Sequence, residues 1–355
     1  MTHLEQLLAR LPAQADAALI TSGENRFYLS GMRSSAGVCL VTRENAYLII
    51  DFRYIEKARK TVRGFTVLLQ DDLAAQLGEL VRRHNVQTVA VEEHSVTLAQ
   101  RDTLAAQLAP ASLAPEAGLS ALLEQLRSVK TPEEIACIRR AQEFTDAGFA
   151  HICQYIRPGM TEREIALELE FFMRRMGSEG ASFDFIAVAG ANSSLPHGVP
   201  GTYQVAEGDF LTMDFGGVYG GYRSDMTRTV AIGQPDEEQL RVYDTVLSAQ
   251  QAVLDAIRPG MTGRQVDAIA RDLIYGAGYE GCFGHGLGHS LGLEIHEPPN
   301  CNLRDDTVLQ AGMMMTVEPG VYLEGRFGVR IEDMVLLTPD GCEDLTRSPR
   351  ELICL

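Results

Sequence analysis

Six consecutive residues of this chain occur twice. Ile156-Arg157-Pro158-Gly159-Met160-Thr161 returns as Ile257-Arg258-Pro259-Gly260-Met261-Thr262, so position 156 maps to position 257. Chance does not produce such identity, and two copies are too few for a solenoid, so the chain contains two related halves. Each copy ends on a threonine with Glu164 or Gln265 three residues on, the pattern of a capping box that starts a helix. The two helices are expected to end near Gly177 and Gly276.

Each half then reaches an acidic hairpin. The first runs from Asp214 through Gly216-Gly217 and Gly220-Gly221 to Asp225, with apolar and aromatic residues on both sides, which reads as strand, turn and strand. A turn between Tyr219 and Gly220 sets Asp214 opposite Asp225. The second passes Glu318, turns about Gly325 and returns through Arg330 to Glu332, so Glu318 faces Glu332. Like charges directly opposed across a sheet are destabilising, and something cationic is expected between them. Between the hairpins lies Gly284-His285-Gly286-Leu287-Gly288-His289, followed by His296.

Four carboxylates and at least one imidazole make a cage for metal, most simply for two divalent ions. Halves placed face to face bring all four acids to one centre. Carboxylate-rich ligation with one imidazole suits Mn²⁺ first, then Co²⁺ or Zn²⁺. Such a pair lowers the pKa of a water and polarises a carbonyl. The bland alternatives are ion pairs or a closed, purely stabilising metal site. Against them stand His197, in Leu195-Pro196-His197-Gly198, and His285 and His296, all in glycine- or proline-flanked text. A structural metal needs no such retinue. Arg330 shares a strand face with Glu332, where it either holds a carboxylate or contacts a substrate. His84, His94 and His151 read as packing or surface histidines.

At 355 residues and 45% hydrophobic, the chain is expected to form two domains, 1–122 and 123–355. Candidate strands at 17–20, 37–41, 46–50, 65–69 and 88–91 alternate with helical patterns near 53–61, 72–84 and 97–108, which predicts a small α/β domain. It has no glycine-rich phosphate loop. The break follows Pro110 and Pro115, and Thr131-Pro132-Glu133-Glu134 caps the long helix that opens the second domain. A formal charge of −17 argues against nucleic acid or an anionic membrane as partner. Seven cysteines without a C-x-x-C pair suit a protein with reduced thiols. The N-terminus lacks the apolar core of a signal peptide, and no run approaches the ~20 residues of a membrane span. A cytoplasmic protein is the expectation.

In this order and within these motifs, Asp214, Asp225, His289, Glu318 and Glu332 resemble the five ligands of the pita-bread metallopeptidases. With its N-terminal α/β domain the chain is most similar to the Xaa-Pro aminopeptidase and Xaa-Pro dipeptidase (prolidase) branch. The resemblance implies a creatinase/prolidase-type N-terminal α/β domain, then an α+β pita-bread domain with an internal pseudo-two-fold. It further implies that Asp214 chelates one ion, Asp225 and Glu332 bridge both, and His289 and Glu318 hold the other. Glu318 would shuttle a proton, and His197 would bind substrate. His285 and His296 would orient it and stabilise the gem-diolate, and Tyr322 and Arg330 would line the site. The implied substrate is a peptide with proline at its second position, and the implied assembly is a homodimer.

An Xaa-Pro bond has no amide N–H and a ring crowding its carbonyl, so a peptidase that anchors the free amino terminus on metal avoids the missing donor. In the pattern of archaeal prolidases an arginine lies four residues after the counterpart of His296. Here Asn300 stands there, which favours an aminopeptidase over a dipeptidase unless Arg304 or a partner subunit substitutes. A non-catalytic binding module, or a metal-free hydrolase such as creatinase, is disfavoured by the intact ligand set.

Overall fold

The computed structural model describes residues 1–355 and divides into two units, Met1–Arg127 and Ser128–Leu355. The boundary falls after residue 127 and not after 122, because 119–128 is itself a helix. Its Leu119, Leu123 and Leu126 are buried, and Tyr28 donates to the Leu126 carbonyl at 2.9 Å. In the sequence that stretch shows only as a short apolar segment.

In the first unit, α1 (His3–Arg10), β1 (Ala17–Ile20), α2 (Gly23–Ser30), β2 (Val38–Thr42) and β3 (Ala46–Ile50) come first. After them are α3 (Ile55–Thr61), β4 (Thr66–Leu69), α4 (Leu73–Arg83), β5 (Thr88–Val91), α5 (Leu98–Gln107), β6 (Ser112–Leu113) and α6 (Leu119–Ser128). The strands form one mixed sheet in the order β4-β3-β2-β1-β5-β6. Leu19, Leu40, Ile49 and Val89 of the sheet pack against Leu77, Leu80 and Val81 of α4. His84 lies 2.7 Å from the Tyr47 hydroxyl and His94 2.8 Å from Glu124, so both serve packing and surface pairing. No helix is long and apolar enough to cross a membrane, and all seven cysteines are free.

The second unit displays the duplication. Its first half is α7 (Pro132–Tyr155), α8 (Glu162–Met176), β7 (Ile186–Ala189), β8 (Phe210–Phe215), β9 (Val218–Tyr219), β10 (Tyr222–Arg223) and β11 (Met226–Ala231). Its second half opens with α9 (Glu237–Ala256), α10 (Gly263–Gly276), β12 (Gly288–Ser290) and β13 (Glu297–Cys301). It closes with β14 (Met314–Val317), β15 (Gly320–Leu323), β16 (Phe327–Arg330), β17 (Asp333–Leu337) and β18 (Cys342–Asp344). The repeated hexapeptides make the same turn: Gly159 and Gly260 both have φ 91°, and Thr161 and Thr262 cap α8 and α10 in capping boxes with Glu164 and Gln265. Removing one cap by Thr262→Ala is expected to cost about 1 kcal/mol, seen as a lower urea midpoint at unchanged slope. An unchanged midpoint contradicts that role.

In each half a helix pair covers one face of a small sheet. Ile152 and Ile165 pack on Leu211 and Met213, and Val246, Val253 and Val266 pack on Met315, Val317 and Val335. Strand alternation then turns Asp214 away from the helices in the first half, and Thr316, Glu318, Arg330 and Glu332 in the second. These two faces meet: Glu332 N donates to Thr227 O at 3.0 Å, and Thr229 Oγ1 donates to Arg330 O at 3.0 Å.

The second hairpin has the expected register. Val317 pairs Asp333 and Gly320 pairs Arg330, which leaves Glu318 and Glu332 opposed. The first hairpin differs. Asp214 pairs Thr227, and Tyr219 pairs Tyr222, so the turn is Gly220-Gly221 and Asp225 lies diagonal to Asp214. Both turn glycines have positive φ, 55° and 90°, the geometry that a two-residue hairpin loop demands and glycine meets without strain.

Candidate active site

All five expected ligands, Asp214, Asp225, His289, Glu318 and Glu332, line one cavity of about 660 Å³, together with His197, His285, His296 and Arg330. Asp214 comes from the end of β8, Asp225 from the β10–β11 junction, Glu318 from the β14–β15 junction and Glu332 from the β16–β17 junction. His289 stands in the middle of β12. Its neighbour Gly288 is required: a Cβ there would fall 2.1 Å from the Thr316 carbonyl oxygen.

Donor atoms of Asp225, His289 and Glu332 all lie within 4.8 Å of one another. His289 Nε2 is 3.6 Å from Asp225 Oδ2 and 3.4 Å from Glu318 Oε1. Its Nδ1 faces the Ser290 carbonyl oxygen at 3.1 Å. A proton on Nδ1 donates to that carbonyl and leaves Nε2 as a lone-pair donor aimed into the carboxylates. Burial lowers the His289 pKa to about 4, with His296 adding to the effect, so the ring is neutral.

The acids are crowded together out of water. Burial raises Asp225 well above the ordinary carboxylate range, and Glu332 and Asp214 push it further. Glu332 is raised for the same reason, with Glu318 its strongest neighbour. Glu318 reaches about 8, mainly through burial. Two carboxylates about 4 Å apart repel by about 4 kcal/mol at an effective dielectric of 20, and Arg330 is the one guanidinium lining the cavity. Asp214 Oδ1 is buried without a hydrogen bond while Oδ2 accepts from Arg330 at 2.7 Å. A hard divalent cation satisfies this donor set, and the residues fit the expected metal ligation.

Arg330 is 3% exposed, and beyond Asp214 it donates to Tyr322 OH at 2.7 Å, Pro196 O at 3.3 Å and Thr227 Oγ1 at 3.0 Å. It holds a carboxylate in place, one of its two expected uses. Tyr322 is not part of the cavity lining; its hydroxyl joins Arg330 to His285 Nε2, 2.9 Å away. His285 therefore has both ring nitrogens engaged, since Nδ1 faces Gly286 O at 2.7 Å. Burial lowers its pKa to about 4, and the nearby Arg330 charge adds to this. His197 and His296 are exposed at the cavity, the His296 ring 4.5 Å from that of His289. His151 lies elsewhere, paired with Glu168 and stacked on Phe172.

Several supporting residues carry no signal in the sequence. Asp267 and Arg271 form a buried pair four residues apart on α10. Arg271 donates to the Phe283 and His285 carbonyls at 2.8 Å each, and Asp267 accepts from Leu287 N at 3.0 Å, which fixes the histidine loop. In the sequence they are an unremarkable i,i+4 helix pair. Lys130 and Glu297, both nearly fully buried, brace the turn before His296, where Glu297 accepts from Glu294 N. Phe183 and Phe185 add an aromatic wall.

Residues 136–339 match the model of metallopeptidase family M24, and residues 3–129 match the creatinase/prolidase N-terminal domain. An uncharacterized peptidase of Bacillus subtilis (strain 168) is 41% identical over 341 residues, 96% of each chain. Among solved structures, a Xaa-Pro dipeptidase from Bacillus anthracis superposes with TM-score 0.96 at 41% identity, covering 99% of both chains. An X-Pro aminopeptidase from Thermotoga maritima MSB8 superposes with TM-score 0.92 at 38% identity, covering 98% of this chain and 99% of that one. A carboxylate cage built by a duplicated scaffold and a family match over the catalytic unit lead to one assignment: this chain belongs to metallopeptidase family M24, peptide-cutting enzymes that depend on divalent metal.

Proposed function

We propose that this protein is a Xaa-Pro aminopeptidase of the cytoplasm, a homodimer that removes the N-terminal residue from peptides with proline in second place. The observation that carries the reading is the convergence of four acids and one Nε2-presenting histidine in a single cavity. Asp214 would hold one ion, Asp225 and Glu332 both, and His289 and Glu318 the other, with Mn²⁺ favoured over Co²⁺ or Zn²⁺ by the oxygen-rich set. Bound there, the ions supply Lewis acidity toward the scissile carbonyl and lower the pKa of the attacking water.

The chain's own residues do the rest. Thr316 Oγ1 donates to Glu318 Oε1 at 3.1 Å, which leaves Oε2 to take the proton from the water and return it to the proline nitrogen as the bond breaks. His197 and His296 contact the peptide at the cavity mouth. His296 steadies the oxygen on which negative charge develops, while His285, neutral and with its Nδ1–H given to the Gly286 carbonyl, offers the substrate an accepting Nε2 in place of the Tyr322 hydroxyl. Arg330 and Tyr322 position Asp214 and His285.

The choice of aminopeptidase rests on what faces the peptide's far end. Asn300 and Asn302 line the cavity, and Arg330, already engaged by Asp214, offers no open fork for a dipeptide carboxylate. The second reading, a Xaa-Pro dipeptidase, is favoured by the Bacillus anthracis neighbour of that name. Assayed side by side with Mn²⁺, a Xaa-Pro-Yaa tripeptide is expected to exceed a Xaa-Pro dipeptide in kcat/KM by at least ~10-fold, about 1.4 kcal/mol. Rapid cleavage of the dipeptide alone assigns the dipeptidase instead.

A further inference from the structure

Behind the cavity, on the helix-facing side of β11, lies a fully buried guanidinium. Arg228 is 1% exposed, and its five N–H groups all find partners. Nη1 donates to the carbonyls of Glu332 at 2.6 Å and Thr227 at 2.9 Å. Nη2 donates to Asp333 Oδ1 at 2.6 Å and Ser348 O at 2.8 Å, and Nε to Pro349 O at 2.8 Å. Asp333 is equally buried, and its other oxygen accepts from Gln250 at 3.1 Å.

The neighbouring residue completes the grip from the other side of the strand. Thr227 accepts from Glu332 N through its carbonyl, and its hydroxyl donates to Glu332 Oε2 at 2.7 Å. Glu332 is thereby fixed at its amide, its carbonyl and its carboxylate by two consecutive residues of β11. A buried ion pair adds little stability over well-packed apolar residues. What the planar fork adds is a fixed position for the backbone it holds.

We propose that Arg228, charge-paired with Asp333, is a positioning residue that sets Glu332 for divalent-metal binding. The inference rests on the metal reading of the site and is independent of which peptide is cut. Glu332 hangs between β16 and β17 at the seam of the two halves, where a small shift of its carbonyl swings the carboxylate out of reach of Asp225 and His289. Partners one step behind a metal ligand typically contribute 10–100-fold to affinity.

The test measures Mn²⁺ dissociation constants by competition with a fluorescent chelator, alongside circular dichroism and thermal melting, for three proteins besides the wild type. Arg228→Lys keeps the charge and loses the fork. Arg228→Met/Asp333→Leu replaces the pair by apolar side chains. Arg139→Gln removes a bidentate ion pair of the same unit, Arg139–Glu343, that does not touch Glu332. The expected result is native-like spectra, Mn²⁺ binding weakened 10–100-fold in both Arg228 variants, and unchanged binding in Arg139→Gln. Binding within twofold of wild type in a folded Arg228 variant overturns the proposal. So does failure of both to fold with or without Mn²⁺, because the pair is then a folding requirement. A wild-type protein that binds no Mn²⁺ overturns the metal reading itself.

Discussion

Replacing Glu318 by glutamine is expected to lower kcat by about 10²–10⁴-fold at saturating Mn²⁺, with KM changed far less. The substitution keeps the shape of the side chain and its bond from Thr316, but an amide cannot take up and return a proton. Glu318 is placed for that exchange because the Thr316 hydroxyl occupies Oε1 and leaves Oε2 open to the cavity. Glu318 is also a proposed ligand, so Mn²⁺ must be titrated to saturation before kcat is compared. Loss of activity that vanishes at high Mn²⁺ makes Glu318 a ligand only. A variant within tenfold of wild type removes it from the chemistry.

Stripping the metal is expected to cost as much stability as a severe core substitution in the catalytic unit. An ion held at a thousand times its dissociation constant contributes about 4 kcal/mol, which for a unit of this size is a Tm shift on the order of 10 °C. The pH dependence has a definite sign. Asp225, Glu318 and Glu332 have native pKa values raised above their unfolded values, so the ion-free native state binds more protons. The contribution of Glu318 is present below about pH 4.5 and is lost as pH rises through about 8, and Asp225 and Glu332, raised well above the ordinary carboxylate range, act in the same direction. His285 and His289, lowered to about 4, act oppositely, but only between about pH 4 and 6.5. From pH 6.5 to 8 the carboxylates act alone in the cage, and the chelated protein weakens. Metal binding requires the same acids deprotonated, so the Tm increment produced by Mn²⁺ grows over that window. Melting curves with chelator and with Mn²⁺ at pH 6.5 and 8 check this, and an increment that shrinks toward pH 8 contradicts it.

The sequence carried the residues that line the cage because they lie in local patterns. Glu318 and Glu332 are symmetric about Gly325, and strand alternation places Arg330 with Glu332. The hexapeptide repeat announced the two halves because its turn and cap are local too. The first hairpin misled because Asp214 and Asp225 are not symmetric about their turn. The deciding feature was the pair of positive-φ glycines at Gly220-Gly221, with Asp225 opposite Gly216 as a result. What stayed hidden depends on tertiary contact. Thr227, Arg228 and Thr229 meet Glu332 and Arg330 from over 100 positions away, and no spacing rule reaches that far. Tyr322 meets Arg330 diagonally across its own hairpin and His285 from the loop before it, and these two bonds make it a brace behind the wall.

The central claim is that acids from both halves jointly hold two divalent ions on which peptide cleavage depends. Anomalous-difference diffraction from a crystal grown with Mn²⁺ tests it most directly. The account predicts two strong peaks inside the cavity, within coordination distance of Asp214, Asp225, His289, Glu318 and Glu332. Peaks elsewhere, or none in that cavity, would contradict it.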